Sequence, residues 1–508
     1  MGTTYETGGR LILLNLAIGL GTFIQILDTS IANVAIPYIA GNLSVSPDEG
    51  TWVITSFAAS NAIVLPLTGW LSNYFGRVRL FVGSVLLFSL VSFLCALSTS
   101  LTMLVILRVL QGAVAGSLIP LSQSLIMTCN PPETRGGALG YWGMIVVVAP
   151  ILGPIVGGYL TQEYSWPWIF YINVPIGLFA ALTTWTILKG KESEIVRNPI
   201  DWVGLILLTI GVGCLQVMLD KGKDLDWFES NTIIALSLTS AISILYFIAW
   251  NSTQKFPIVD FSFFRNRNFA FGTIAITLGF LIYFCSTVII PLWLQTQQNY
   301  TPLWAGIAVA PVGIPAFCLS RYVGKNLHRF DLRLMASISF LLFSVSSFYQ
   351  SFFTTEIDIE TIMLARFIQG FAIAIFFLPL VQLSLGEIPN EKYASASGLF
   401  NFIRILIGSG FGTSLAIELW SRREIFHHAR LAETINPFIE GTKSFYQSLS
   451  FTPGVVTRIV DQLVEQQAYM LSTMDLSWMV GWLALLMIPI VYMCKKVAVV
   501  SANHGANH

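Results

Sequence analysis

Fourteen times along this chain, a stretch of about 20 residues runs almost free of charge. That is the length an α-helix needs to cross the hydrocarbon layer of a bilayer. The stretches fall near 11–36, 51–71, 80–99, 103–127, 138–160, 168–188, 201–219, 231–249, 270–294, 304–323, 333–353, 360–385, 395–418 and 477–494. A lipid-embedded backbone must satisfy its own polar groups, so each is read as a spanning helix. Composition agrees: 27 basic and 27 acidic residues in 508 make 11% charged, with mean hydropathy +0.71. Soluble domains carry about 25% charged residues. The fold class is an all-α polytopic membrane protein.

The same numbers exclude other classes. With net charge +0 and no basic tract, a nucleic-acid partner is not expected. The six cysteines are scattered and form no Cys-x-x-Cys pair, and the five histidines have no ligand spacing. Neither a metal site nor a disulfide framework is expected, and no cofactor or nucleotide-binding loop is evident. The first span has only Arg10 ahead of it and lacks a small-residue cleavage site, so it is not read as a signal peptide.

Charge placement orients the chain. With both termini inside, seventeen basic residues fall in inside loops, among them Arg77, Arg79, Arg135, Arg197, Arg321, Lys325 and Lys392. The short outside loops hold only Lys221 and Lys223. The positive-inside rule therefore puts both ends on the inside, the cytoplasmic face. A long outside loop, 419–476, includes Glu440 and Lys443, and its 458–471 portion has helical periodicity. It is read as a small helical cap, either a spacer or a docking surface.

The chain also repeats itself. Arg108, Gln111 and Gly112 recur 258 residues later as Arg366, Gln369 and Gly370, and Glu133 recurs as Glu391. Pro120 with Gln123 recurs as Pro379 with Gln382 after a one-residue slip. Two similar helix sets are the mark of a pseudo-symmetric transporter whose halves rock about a central site. Residues 1–190 form one six-helix bundle, 191–255 an inserted pair (spans 7 and 8), and 256–508 a second bundle that includes the 419–476 loop. No ring-forming filter argues for a channel.

Four ionisable residues interrupt apolar runs: Asp28, Arg108, Arg366 and Arg404. A charge at the bilayer centre costs about 3 kcal/mol on insertion scales. Asp28 and Arg108 lie at similar depth, and pairing offsets the desolvation of each. A pair that opens in one conformation binds and releases a proton; a static structural pair is the other reading. Arg366 has no acid at the corresponding place, because 28 + 258 is Ser286. Arg404 either lines a cavity beside Asn401, where it favours anionic cargo, or snorkels to the inside face.

Small and kink-forming residues cluster in GYWGMIVVVAPILGPIVGG, where Gly140, Gly153, Gly157 and Gly158 allow close helix contact. Pro150 and Pro154 bend the span, which reads as a gate or seal between halves. In GWLSNYFGRVR, Gly69, Asn73, Gly76, Arg77 and Arg79 form a second candidate gate at the inner face. The arginines there can bond helix-end carbonyls or simply supply topogenic charge. Further cavity candidates are Gln25, Asn33, Asn61, Gln111, Gln123, Trp142, Gln369, Phe376, Phe377, Gln382 and Asn401.

On these residues the sequence resembles the major facilitator superfamily. It is most similar to fourteen-span drug:proton antiporters of the kind that form the inner-membrane subunit of bacterial tripartite multidrug pumps. The resemblance rests on LDTSIANVAIP at 27–37, Arg108 with Gln111 and Gly112, GPIVGG at 153–158 with Gly140, and the loop motif at 69–79. Asn73 stands where that family usually has aspartate, which weakens the charge relay expected there. The resemblance implies proton-driven export of hydrophobic or amphipathic small molecules, with a periplasmic adaptor and an outer-membrane channel as partners. It links Arg108 to proton transfer. Two other readings are a dedicated exporter of one metabolite, lipid or siderophore, and a non-transporting receptor or scaffold; enzymatic activity is not expected.

Overall fold

The computed structural model describes residues 6–193, 195–196, 199–255, 257–435 and 453–496. Arg197, Glu440 and Lys443 lie outside them, as do the side chains of Glu133, Arg321 and Lys325. Among the described residues the regular structure is helical, with no strand.

Among the described residues thirteen helices are long and apolar enough to span a membrane, and a bent pair makes a fourteenth. Spans 1–4 are Gly9–Asn42, Trp52–Phe75, Arg77–Ala96 and Leu101–Cys129. Span 5 is the bent pair Thr134–Pro150 and Leu152–Glu163, and span 6 is Trp168–Leu188. Spans 7 and 8 are Trp202–Lys221 and Asn231–Thr253. Spans 9–12 are Arg267–Thr296, Leu303–Gly324, Leu332–Gln350 and Ile359–Leu385. Spans 13 and 14 are Tyr393–Glu433 and Val455–Tyr492. An even number of crossings leaves both ends of the chain on one face, called here the terminal face.

Local chemistry sets where the spans begin. Ser100, Asp201, Asn266, Thr301 and Asp331 each accept a hydrogen bond from a backbone N–H in the first turn of the helix that follows. Each satisfies an orphan donor at a helix start. Prolines mark several breaks. Span 2 tightens into a 3-10 turn at Leu65–Leu67 around Pro66, and span 10 does the same at Ala310–Val312 around Pro311. Span 5 bends by 44° between Pro150 and Leu152. Pro379, by contrast, lies inside the continuous helix Ile359–Leu385.

Two boundaries differ from the sequence reading. Span 13 does not stop at 418, nor does span 14 start at 477. Helices Gly412–Thr434 and Pro453–Tyr492 run well past the apolar stretches. Hydropathy marks where lipid ends, and nothing in 419–434 or 458–476 breaks a helix. The helical portion expected at 458–471 is one part of this longer element; residues 436–452 lie outside the described part.

Spans 7 and 8 pack mainly on each other and expose an apolar face that includes Leu238, Ile242 and Leu245. They touch both helix sets. Lys221 Nζ donates to Thr51 Oγ1 of span 2 at 2.7 Å, and Trp227 Nε1 donates to Glu418 Oε2 of span 13 at 2.6 Å.

Candidate functional site

A carboxylate and an arginine inside a bilayer must find partners or pay several kcal/mol each. Asp28 and Arg108 find each other. Both are buried, and Arg108 Nη1 lies 2.5 Å from Asp28 Oδ2. The pair is wired into neighbouring spans. Arg108 Nε donates to the Val53 carbonyl of span 2 at 3.0 Å, and Nη1 also reaches Gln111 Oε1 at 2.8 Å. Asn173 of span 6 donates to Asp28 Oδ1 at 2.9 Å and to Ser92 Oγ of span 3 at 3.0 Å. The guanidinium lies over the Phe57 ring, 4.2 Å from its centroid. One donor, Arg108 Nη2, has no partner.

Gln111, named above as a cavity candidate, is part of this cluster. It sits within the first helix set, bonded to Arg108 and facing Asp28 Oδ1 at 3.4 Å. The reason is helical spacing, since residues three apart share a face.

The second set repeats the arrangement with one change. Arg366 Nη1 contacts Gln369 Oε1 at 2.5 Å and Ser286 Oγ at 3.1 Å, and Nη2 donates to the Ser286 carbonyl. Ser286 thus stands on Arg366 as Asp28 stands on Arg108, as the 258-residue offset foretold. Arg366 and Gln369, also cavity candidates, bond to each other and to Ser286 here.

Between the two sets lies a layer of aromatic and amide side chains. Arg404 is 2% exposed, so it does not snorkel. It donates to Asn401 Oδ1 at 2.7 Å and stacks 4.2 Å from the Phe280 centroid and 5.4 Å from that of Phe377. It begins an eight-residue π-helix, Arg404–Phe411, a form rare enough to be a common marker of function. Phe377 meets Trp142 of span 5 at 5.7 Å. Trp142 donates to Ser122 Oγ at 2.8 Å and to Thr22 Oγ1 at 3.1 Å. Gln123 Oε1 accepts from Asn401 at 2.9 Å and from Ser397. Gln25 Oε1 and Asn61 Nδ2 are buried without partners.

Two cavity candidates sit elsewhere, and Phe376 lies at the edge of the layer, its ring centroid 5.9 Å from that of Phe280. Phe376 packs edge-on against Phe340 and Phe343 inside the second set. Asn33 is exposed, and Gln382 is half-buried on span 12. Phe280 was missed; among 36 phenylalanines no sequence signal separates it.

The hydrogen bonds that join the two sets lie toward the terminal face. Arg77 Nη2 donates to the Asn390 and Glu391 carbonyls at 2.8 and 3.2 Å. At Gly69 a side chain would sit 2.8 Å from the Ser395 Cα, so spans 2 and 13 touch there. At Gly140 it would lie 2.9 Å from the Ser320 carbonyl oxygen of span 10, and at Gly136 2.6 Å from that of Gly324. Gly153 and Gly157 instead press span 5 onto Ser30 and Ile31 of span 1. Ser30 also donates to the Pro150 carbonyl at 2.8 Å, and Pro154 with Ile155 abuts Gly306 of span 10.

Not every gate residue serves this seam. Gly158 has open space around it, and the Arg79 side chain is exposed. Gly76 adopts φ +89°, a left-handed turn that lets Glu192 approach. The Glu192 carboxylate accepts from Val78 N at 3.0 Å and Arg79 N at 2.9 Å, capping span 3. Asn73 contributes its carbonyl to Val196 N at 2.9 Å. Glu192, from the loop after span 6, thus supplies a carboxylate at this gate.

Among the described residues no group of three or more His, Cys, Asp or Glu is placed to hold a metal. His427 and His428 instead face carboxylates: Asp475 at 2.7 Å and Asp461 at 3.3 Å.

Residues 18–413 match the Major Facilitator Superfamily. The chain is 46% identical to "Multidrug export protein EmrB" of Haemophilus influenzae over 95% of both chains. It is 44% identical to the Escherichia coli protein of that name, over 99% of this chain and 98% of that one. It is also 44% identical to "Fatty acid resistance protein FarB" of Neisseria gonorrhoeae, over 96% of this chain and 97% of that one. A solved bacterial homolog of the lysosomal transporter Spinster shares the fold at TM-score 0.56 and 15% identity, covering 97% of this chain and 100% of that one. Fold, paired arginine motifs and relatives converge, and the chain belongs to the Major Facilitator Superfamily.

Proposed function

We propose that this protein is a proton-coupled antiporter that exports hydrophobic and amphipathic compounds across the bacterial inner membrane by alternating access. The buried Asp28–Arg108 pair carries the proposal. Breaking such a pair by removing one partner costs about 3–5 kcal/mol, because the other charge is left bare. A conformation that parts the two must therefore neutralise one of them. Arginine does not give up its proton, so the group that changes charge is Asp28. A proton taken up there from the periplasm releases Asp28 from Arg108, which keeps its bonds to Gln111 and the Val53 carbonyl. Its loss to the cytoplasm restores the pair.

With both termini cytoplasmic, as the loop charges favour, the terminal-face contacts close the cytoplasmic side. Arg77, Gly69, Ser397 and Gly140 then form the inner gate, and the rest of the cycle opens it. Spans 1–6 (residues 1–190) and 9–14 (256–508) are the rocking bundles, and residues 191–255 carry the inserted pair.

The central layer narrows the cargo. Arg404 makes no ion pair among the described residues and is walled by Phe280 and Phe377. This combination suits an amphiphile with an anionic head and an apolar body. A relative named for fatty acid resistance supports that reading. Gln123, Asn401, Gln25, Asn61 and Trp142 provide the polar rim.

The outer extensions of spans 13 and 14 fit a docking role toward a periplasmic adaptor and, through it, an outer-membrane channel. They are clasped together by Arg423 Nε to Asp475 at 2.7 Å, by the two His–Asp contacts, and by Trp420 to Thr473 at 2.9 Å.

The test is transport in proteoliposomes under an imposed pH gradient, using a lipophilic dye and a fatty-acid-like anion. Wild type should accumulate both in a gradient-dependent way, and Asp28→Asn should lose the dependence. Full gradient-driven uptake by Asp28→Asn would falsify the assignment.

A further inference from the structure

Asp28 is not the only acid inside a span. Asp220 lies half-buried in the last turn of span 7, and the cycle proposed above makes no use of it. A helix C-terminus carries partial negative charge, so a carboxylate there is unfavourably placed. The adjacent Lys221 points elsewhere. Its Nζ donates to Thr51 Oγ1 at 2.7 Å and to Asp224 at 3.3 Å. Among the described residues the hydrogen-bond donors to Asp220 are neutral: Gln216 Nε2 at 3.1 Å and Thr55 of span 2. Spans 2 and 8, which pack on span 7, contain no charged residue. Span 13 carries Arg404, stacked on Phe280, and Glu418, bonded to Trp227 and Arg422.

Span 7 is wedged between the two helix sets. On one side Asp220 and Lys221 hold Thr55 and Thr51 of span 2. On the other, Gln216 Oε1 lies 3.7 Å from where a side chain at Gly410 of span 13 would begin, and Trp227 bonds to Glu418. Thr55 is two residues from Val53, whose carbonyl holds Arg108, so Asp220 meets span 2 at the depth of the Asp28 pair. Closing the outer side brings spans 2 and 13 together, and span 7 must then part from one of them. Parting from span 2 strips Thr55 from Asp220. A carboxylate that loses a donor away from water is costly, and a proton relieves that cost.

We propose that Asp220 is a second proton-binding carboxylate, charged while Thr55 holds it and protonated when span 7 leaves span 2. Each transport cycle then moves two protons, one on Asp28 and one on Asp220. Resting on the antiport proposed above, this second site sets its proton count. It also gives the inserted pair a part in coupling.

The test is the limiting accumulation of a neutral, slowly permeating amphiphile in proteoliposomes, at zero membrane voltage and a pH difference of one unit. Each exchanged proton multiplies the attainable cargo gradient tenfold, so wild type should reach about 100-fold and Asp220→Asn about 10-fold. A wild-type limit of about 10-fold would overturn the second proton. So would an Asp220→Asn limit equal to wild type, which would leave Asp220 as an anchor between spans 7 and 2. Asp28→Asn separates the two claims: undiminished gradient-driven uptake in that variant sinks the antiport itself, whatever Asp220 does. Should Asp220→Asn fail to fold or to transport, the wild-type chain is treated with dicyclohexylcarbodiimide, an apolar reagent that attacks protonated carboxyl groups. Peptide mass spectrometry should find Asp220 modified, and more so at acid pH. An Asp220 that stays unmodified at every pH would count against the site.

Discussion

Arg404 sits where two helix sets meet, with one amide and two aromatic rings for company. Cation–π contact with Phe280 offsets part of its desolvation, by about 2 kcal/mol at a dry site. The remainder is available to an anionic cargo. Arg404→Gln keeps a hydrogen-bonding group and removes the charge. It should reduce transport of a carboxylate amphiphile at least tenfold while leaving a neutral dye within about twofold. Equal losses for both cargoes in a competition assay would show that Arg404 only holds the seam together. The charged residues of the candidate site were legible in the sequence because ionisable groups inside apolar runs are rare and expensive. Asn173 was not: an amide at the start of a span looks like ordinary interfacial polarity. Ser286 was marked only by the repeat offset, as the place where an acid is missing.

At the scale of single helices, glycine placement decides how closely the sets approach. Gly69 allows span 2 to lie against Ser395, and Gly398 of span 13 in turn faces the Leu65 carbonyl, where a side chain would come within 2.8 Å. Gly69→Val should prevent closure of the terminal face. Transport should fall to near background, while the Asp28–Arg108 pair, within the first set, keeps the protein folded. The check is uptake together with a thermal midpoint within a few degrees of wild type. A fully active Gly69→Val protein would remove Gly69 from the gate. Fourteen spans and the bend of span 5 could be read from hydropathy and proline. The lengths of spans 13 and 14 could not, because hydropathy reports lipid contact and both helices outlast it. The π-segment at 404–411 is likewise invisible to a 3.6-residue pattern.

For the molecule as a whole, alternating access requires the terminal-face seam to open and close. Gln123 and Ser397 bridge it by a direct hydrogen bond. In a background with the six native cysteines replaced, Gln123→Cys with Ser397→Cys should cross-link under oxidant and halt transport, and reductant should restore it. Undiminished transport in the cross-linked protein would mean that this seam never parts. The chain's internal symmetry was readable at this scale from one offset. Which face is closed was not, because a sequence that serves both conformations names neither.

The long outer helices turn a small motion into a large one. Span 14, Val455–Tyr492, has 38 residues and is about 57 Å long at 1.5 Å per residue, against about 30 Å of hydrocarbon. A rigid rod of that length tilting by about 10° about its membrane end carries its far tip through about 10 Å. Rocking too slight to see at Arg404 is thus magnified into a stroke beyond the lipid. There, any protein seated on the paired helices would feel which way the transporter faces.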